Sequence, residues 1–211
     1  MTSEERREQR YQRRKAARLK KRQETIGKYD DFERVASLNS LYEAAREASK
    51  GVDWKASVQR YNSLLLFNIS KTRAELLAGK DIRRGFICFD ICERGKLRHI
   101  KSVHFSERVV QKSFCTNILY PTFTRSLIYD NGASQKGKGT QFALDRLTTH
   151  LRRHFRKYGR EGGILLIDFS DYFGNVAHEP LFKIYRQIFT DPRVIALGMS
   201  FISAFGDKGL G

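Results

Sequence analysis

The sequence predicts an α+β fold, and three observations carry that prediction. Apolar residues recur at three- and four-residue steps over 32–49 and 54–78, the spacing of helices that bury one stripe. A run rich in aromatic and β-branched residues and a run alternating basic with apolar flank a short turn at Glu93-Arg94-Gly95, the pattern of an antiparallel hairpin. The run Ile164-Leu165-Leu166-Ile167-Asp168-Phe169 is apolar at successive positions, which suits a central strand covered on both faces. The 211 residues are enough for one domain with a real core, and 40% apolar content is too high for a wholly disordered chain.

Charge narrows the class of partner. Lys and Arg number 40 against 23 Asp and Glu, a formal net charge of +17. A polyanion is the leading partner, with nucleic acid ahead of an anionic membrane surface. No apolar run approaches the ~18 residues of a membrane span. The charged N-terminus also lacks the apolar stretch of a secretory signal, so no membrane partner is expected. The 3 cysteines cannot build a disulfide scaffold. They point to a reducing compartment, and so to a cytoplasmic location.

The elements follow in order. Residues 1–28 form a basic extension holding 11 Lys and Arg and 4 acids. Its residues are good helix formers, but it has almost no apolar face to pin it to a core. In the first amphipathic helix Phe32, Val35, Leu38, Leu41, Tyr42 and Ala45 form the stripe. In the second, over 54–78, Val58, Tyr61, Leu64, Leu65 and Ile69 do so, and Gly79 supplies a stop. The hairpin pairs 85–92 with 96–103, with Lys96 and Arg98 on one face and Leu97 on the other. A helix over 106–119 follows, with Ser106 as its cap and Pro121 marking its end. A short strand over 127–129 leads into a polar glycine-rich loop, and a basic helix runs over 140–158. Leu144, Leu147 and Leu151 supply its buried side, and Arg146, Arg152, Arg153, Arg156 and Lys157 its charge. Gly162-Gly163 opens the apolar strand, and helices over 176–189 and 192–205 complete the order, with Pro180 near a helix start.

Two motifs fall short of their chemistry. Gly132-Ala133-Ser134-Gln135-Lys136-Gly137-Lys138-Gly139-Thr140 is close to a P-loop, but Gly139 separates Lys138 from Thr140 where the lysine and hydroxyl must be adjacent. Cys88 and Cys92, with His99 and His104 downstream, have the wrong spacing for a zinc knuckle. No zinc site is expected, and alternate strand positions favour core cysteines.

Asp168 stands out because it ends a run of four large aliphatics. An uncompensated carboxylate costs several kcal/mol to bury, at order of magnitude, so it needs a partner, solvent or a metal. A carboxylate at a strand end is a good place to hold Mg2+. Asp171 lies three residues on and is a weaker candidate ligand. His178 reads first as a packing residue at a helix start.

The stretch Ile167-Asp168-Phe169-Ser170-Asp171-Tyr172-Phe173-Gly174-Asn175-Val176-Ala177-His178 resembles the first catalytic motif of reverse transcriptases of the group II intron and retron kind. Further stretches resemble that family in order: Arg94-Gly95-Lys96-Leu97-Arg98, Glu107-Arg108-Val109-Val110-Gln111, Leu119-Tyr120-Pro121, and the basic stretch over 126–141. The resemblance implies right-hand polymerase fingers with the start of the palm. Fingers would occupy about 29–160 and a partial palm about 161–211, within a reverse transcriptase domain over 29–211. It implies an RNA-directed DNA polymerase with an RNA template, a DNA or RNA primer, deoxynucleoside triphosphates and Mg2+ or Mn2+. Asp168 would be the catalytic metal ligand, with the backbone carbonyl of Phe169 beside it. Phe173 would be the gate against a ribose 2′-hydroxyl, and Lys96 and Arg98 would contact the triphosphate. Arg108, Lys136, Lys138, Arg152, Arg153 and Arg156 would contact nucleic acid.

One departure qualifies this. The family's aromatic-x-Asp-Asp motif does not occur after Asp168, where the acids are Asp171, Glu179, Asp191 and Asp207. The expectation is therefore an incomplete palm, a missing C-terminal half as a possible partner, and no polymerase activity from this chain by itself. The competing expectation is a non-catalytic RNA-binding module that grips RNA through phosphate contacts and stacking.

Overall fold

The computed structural model describes residues 2–210. Their architecture is α+β: eleven α-helices, short 3-10 and π segments, and one two-stranded antiparallel sheet among the described residues. Two compact units emerge. One comprises Met1–Thr122 with Phe173–Gly211, and the other is Phe123–Tyr172.

The first unit begins with α1 (Ser3–Tyr29), a 27-residue helix with no buried residue. Thr2 and Glu5 form a reciprocal cap, the hydroxyl accepting the Glu5 N–H at 3.2 Å and the carboxylate accepting the Thr2 N–H at 2.7 Å. Beyond it lie α2 (Glu33–Ala36), α3 (Leu38–Ser49), α4 (Ala56–Ser63) and α5 (Leu65–Leu77). The two helices expected over 32–49 and 54–78 are thus each broken in two. Ser37 adopts extended backbone and accepts the Ser40 N–H, so it ends α2 and caps α3. Leu64 departs from helical geometry at φ −121°, and its side chain is exposed rather than part of the stripe. Leu38 is likewise exposed, being the first residue of α3.

The hairpin is β1 (Phe86–Glu93) and β2 (Lys96–Val103), in register Phe86 to Val103 and Glu93 to Lys96. Arg94 and Gly95 turn the chain with φ of 51° and 77°. Positive φ at both central residues matches the twist of the strands, and Gly95 adopts it without steric cost. Cys88 and Cys92 are exposed, against the expectation of core cysteines, because most of the hairpin is open on both faces.

The helix α6 (Phe105–Phe114) starts one residue before the expected cap. His104 holds the cap position without a side-chain bond, and Ser106 lies inside the helix. The helical path does not stop at Pro121. A π segment over Cys115–Leu119 leads into α7 (Tyr120–Phe123). The wider π turn relieves the clash that a proline ring makes with the preceding turn.

The core of this unit packs α3 and α2 against α6 and the π segment. Val35, Leu41, Ile69, Val109, Val110, Ile118 and Val194 are essentially solvent-free. Each such side chain contributes roughly 1.5–3 kcal/mol by burial. Ser113 is also buried and donates to the Val35 carbonyl at 2.9 Å, so its hydroxyl is satisfied. The unit closes with α9 (Tyr172–Asn175), whose first residue belongs to the other unit, then α10 (His178–Ile188) and α11 (Pro192–Ser203). Pro180 sits in the first turn of α10 and Pro192 opens α11, both where a missing N–H costs nothing.

The second unit contains a 3-10 turn at Thr124–Ser126, the glycine-rich loop and α8 (Thr140–Tyr158). Two expected strands are not strands. Residues 127–129 are irregular, with a bend at Leu127 and a turn at Tyr129, and 164–169 have no ladder partner. Ile164, Leu165, Leu166, Ile167 and Phe169 are 70–89% exposed. A both-faces-buried strand requires neighbours, and the one sheet among the described residues is the hairpin. The stripe of α8 is also open: Leu144, Leu147, Leu151 and Phe155 are all exposed, although the sequence predicted a buried side.

Candidate nucleic-acid interface

In the second unit α8 is built as two opposed faces. Leu144, Leu147, Leu151 and Phe155 fall on one side at steps of three and four. Arg152, Arg153 and Arg156 fall on the other, where with Thr149 and Lys157 they line one shallow recess. These cationic groups lie together without a carboxylate among the lining residues. Such a cluster favours a bound polyanion, because each guanidinium keeps several donors for phosphate oxygens. Lys157 and Thr149 were not singled out from the sequence as site residues. The i, i+3, i+4 and i+8 spacing of 149, 152, 153 and 157 is the signal that could have found them.

The loop before α8 is held by its own residues. Lys138 donates to the Tyr129 carbonyl at 2.6 Å, and its ammonium lies 4.8 Å from the Tyr129 ring centre and 4.9 Å from that of Phe142. This engagement ties the loop to the start of α8. Lys136 is exposed on the same loop. Asp130 accepts from Arg146 Nε and from His150 Nε2, the latter at 2.6 Å. The Arg146 guanidinium first, and His150 second, hold the Asp130 carboxyl below the usual carboxylate range.

In the first unit Lys96 and Arg98 lie on β2 beside the turn. Arg98 pairs with Glu93 at 3.3 Å, and Lys96 faces Glu93 in register. Both are exposed. Arg108 is half-buried and donates to Ser102 Oγ at 3.0 Å. Glu107 beside it is buried, accepting from the Arg84 N–H at 3.4 Å and from Gln111 Nε2 at 3.1 Å. Burial pushes the Glu107 carboxyl up, with the Arg84 hydrogen bond opposing.

Asp168 and Phe169 lie on the exposed irregular segment of the second unit. Phe173 belongs to the first unit and is exposed, with its backbone carbonyl accepting the Leu210 N–H at 2.8 Å. The following residues are tied to the same segment. Gly209 donates to the Val176 carbonyl at 2.9 Å, and Ala177 bridges Lys208. His178 is 4% exposed and donates from Nε2 to the Gly209 carbonyl at 2.6 Å, which is a packing role. Gly209 has φ +92°, and an added Cβ there would lie 3.3 Å from the Gly174 carbonyl, so both conformation and space select glycine.

Among the described residues no group of three or more His, Cys, Asp and Glu gathers as a ligand set. Asp168 supplies one exposed carboxylate. No helix among them is long and apolar enough to cross a membrane.

No family model matches the chain, and no curated protein does.

Proposed function

We propose that this chain is an RNA-binding protein of reverse-transcriptase type, whose described residues grip an RNA template and primer and do not by themselves transfer nucleotides. The observation that carries the reading is the recess of Arg152, Arg153, Arg156 and Lys157 on one face of α8. It belongs to a structured helix and not to a loose tail, and it has the chemistry that phosphate oxygens select. The motif resemblance over 167–178 and the net charge of +17 support it. In a complete enzyme of that type Asp168 would hold metal, Phe173 would face the sugar, and Lys96 and Arg98 would meet the triphosphate.

A non-catalytic RNA-binding module is the second reading. The favouring observation is that no group of three or more His, Cys, Asp and Glu gathers among the described residues. Two-metal phosphoryl transfer needs such a set.

Binding of the full chain to a labelled RNA template annealed to a DNA primer tests the shared part. The expected result is an affinity that falls steeply with salt. Arg152→Gln/Arg153→Gln/Arg156→Gln is expected to reduce the salt slope by about 2, at roughly 0.7–0.9 per lost phosphate contact. Asp168→Asn is expected to leave affinity unchanged with or without Mg2+. Affinity indifferent to salt and to these arginines would overturn the proposal. Primer extension by the chain, abolished in Asp168→Ala, would show a working polymerase and refute both statements about transfer.

A further inference from the structure

The helix α1 gathers about half of its 11 cations on one face. At about 100° per residue, Arg7, Arg10, Arg14, Arg18 and Lys21 fall within an arc of roughly 80°. The opposite face holds Glu5, Gln12, Ala16 and Gln23, with Glu8 hydrogen-bonded to Gln12 at 2.6 Å. Glu5 and Glu8 are therefore directed away from the basic stripe, whereas Glu4 lies at its edge, one turn before Arg7. The stripe runs about 21 Å along the axis, at 1.5 Å per residue.

One aromatic lies beside it. Tyr11 is 55% exposed, and Arg7, Arg10, Arg14, Lys15 and Arg18 surround it in a shallow recess. An exposed aromatic ringed by cations provides a base-stacking platform with phosphate contacts on either side. The same face lacks what a lipid surface requires. Apart from alanines and Tyr11, the apolar residues of α1 are Leu19, Ile26 and Tyr29, with no Leu, Phe or Trp stripe to insert.

We propose that α1 is a binding arm for single-stranded RNA, with Arg7, Arg10, Arg14, Arg18 and Lys21 tracking consecutive phosphates and one base stacked on Tyr11. This rests on the RNA-binding reading above and extends it, since it assigns a second site, a strand state and a stacking residue.

The test is fluorescence anisotropy of the full chain with a labelled unstructured 20-nucleotide RNA, titrated with KCl. Two variants remove equal charge from one helix and keep good helix formers throughout. Arg7→Gln/Arg14→Gln/Arg18→Gln removes three of the five stripe cations. Arg6→Gln/Arg13→Gln/Lys20→Gln removes cations turned roughly 80–120° from its centre. The expected result is a salt slope lower by about 2 for the first variant and nearly unchanged for the second. Tyr11→Ala is expected to weaken binding about tenfold, and Tyr11→Trp to preserve it. Circular dichroism of each variant confirms that α1 is still helical.

Equal losses from both triple variants would overturn the proposal, because they would show diffuse charge without a face. Preference for an RNA duplex, or for phosphatidylserine vesicles, with Tyr11 indifferent, would also overturn it. If the wild-type chain binds RNA and only the α8 variant loses affinity, the arm fails and the RNA-binding reading stands. If the wild-type chain binds no RNA, both fail.

Discussion

Asp30 and Asp191 fasten the end of α1 to the start of α11 across 161 residues of sequence. The Asp191 N–H donates to the Asp30 carboxylate at 3.2 Å, and the Asp191 carboxylate accepts the Phe32 N–H at 3.2 Å. Thr190 adds its own N–H and hydroxyl to Asp30, at 2.5 and 2.7 Å. Asp191 in turn caps α11 through the Arg193 N–H at 2.9 Å. Two carboxylates thus satisfy the backbone donors of two chain segments that would otherwise enter the fold unpaired.

Replacing Asp30 by Ala removes that acceptor from three donors at once. Asp30→Ala is expected to lower unfolding stability by about 1–3 kcal/mol, because the Thr190 and Asp191 amides lose their partner. Thermal unfolding followed by circular dichroism measures the loss. Asp30→Asn is expected to recover part of it, since its carbonyl oxygen still accepts. An Asp30→Ala protein as stable as the wild type would show that water replaces the clasp.

Acid is expected to release the same clasp from the other side. Burial opposes ionisation of Asp191, but the backbone hydrogen bonds from Arg193 and Phe32, and then the Arg193 guanidinium, outweigh it, so the carboxyl titrates below its ordinary 3.8. An acid whose folded value is depressed stabilises the fold above the unfolded value. That contribution is lost as pH falls through the folded value. The wild-type melting temperature is therefore expected to fall below about pH 4 more steeply than that of Asp191→Asn. Parallel curves would refute the coupling.

Gly198 allows α10 and α11 to approach. A Cβ at this position would lie 2.5 Å from the Tyr185 ring, and Tyr185 is itself 8% exposed. Alanine is the better helix former by about 1 kcal/mol, so an open site would gain from the change. Here Gly198→Ala is expected to destabilise by about 1–3 kcal/mol through overpacking, and Gly198→Ala/Tyr185→Leu to regain part of that loss. Chemical denaturation of the single and double variants separates the two outcomes.

The parts of this fold legible in the sequence are those set by neighbours in the chain. Glu93-Arg94-Gly95 marks the hairpin and its turn, and α8 runs over the 140–158 expected after the glycine-rich loop. The composition of 164–169 reports what a strand would bury, not whether a neighbouring strand is present. Pro121 was read as a stop because the π turn that accommodates it has no composition signal. The breaks at Ser37 and Leu64 interrupt continuous apolar periodicity for reasons of packing. In the candidate site, the cluster of Arg152, Arg153 and Arg156 follows from helical spacing alone. The sequence separation between Asp30 and Asp191 hides their pairing altogether.

Glu107 gives the opposite pH signature to Asp191. Its carboxyl is buried and pushed above the ordinary 4.5, chiefly by desolvation, although the Arg84 N–H and Arg83 pull the other way. For an acid with a raised folded value, the folded state holds more protons than the unfolded one between the two values, so stability falls as pH rises through that window. Glu107→Gln removes this penalty while keeping an acceptor for the Arg84 N–H or for Gln111. Its melting temperature relative to the wild type is therefore expected to rise from pH 4.5 toward neutrality and then level off. Glu107→Ala leaves the Arg84 amide and Gln111 without their partner and is expected to cost about 1–3 kcal/mol at every pH. A Glu107→Gln protein whose difference from the wild type does not change with pH would mean that water reaches the carboxylate and that its burial carries no energetic weight.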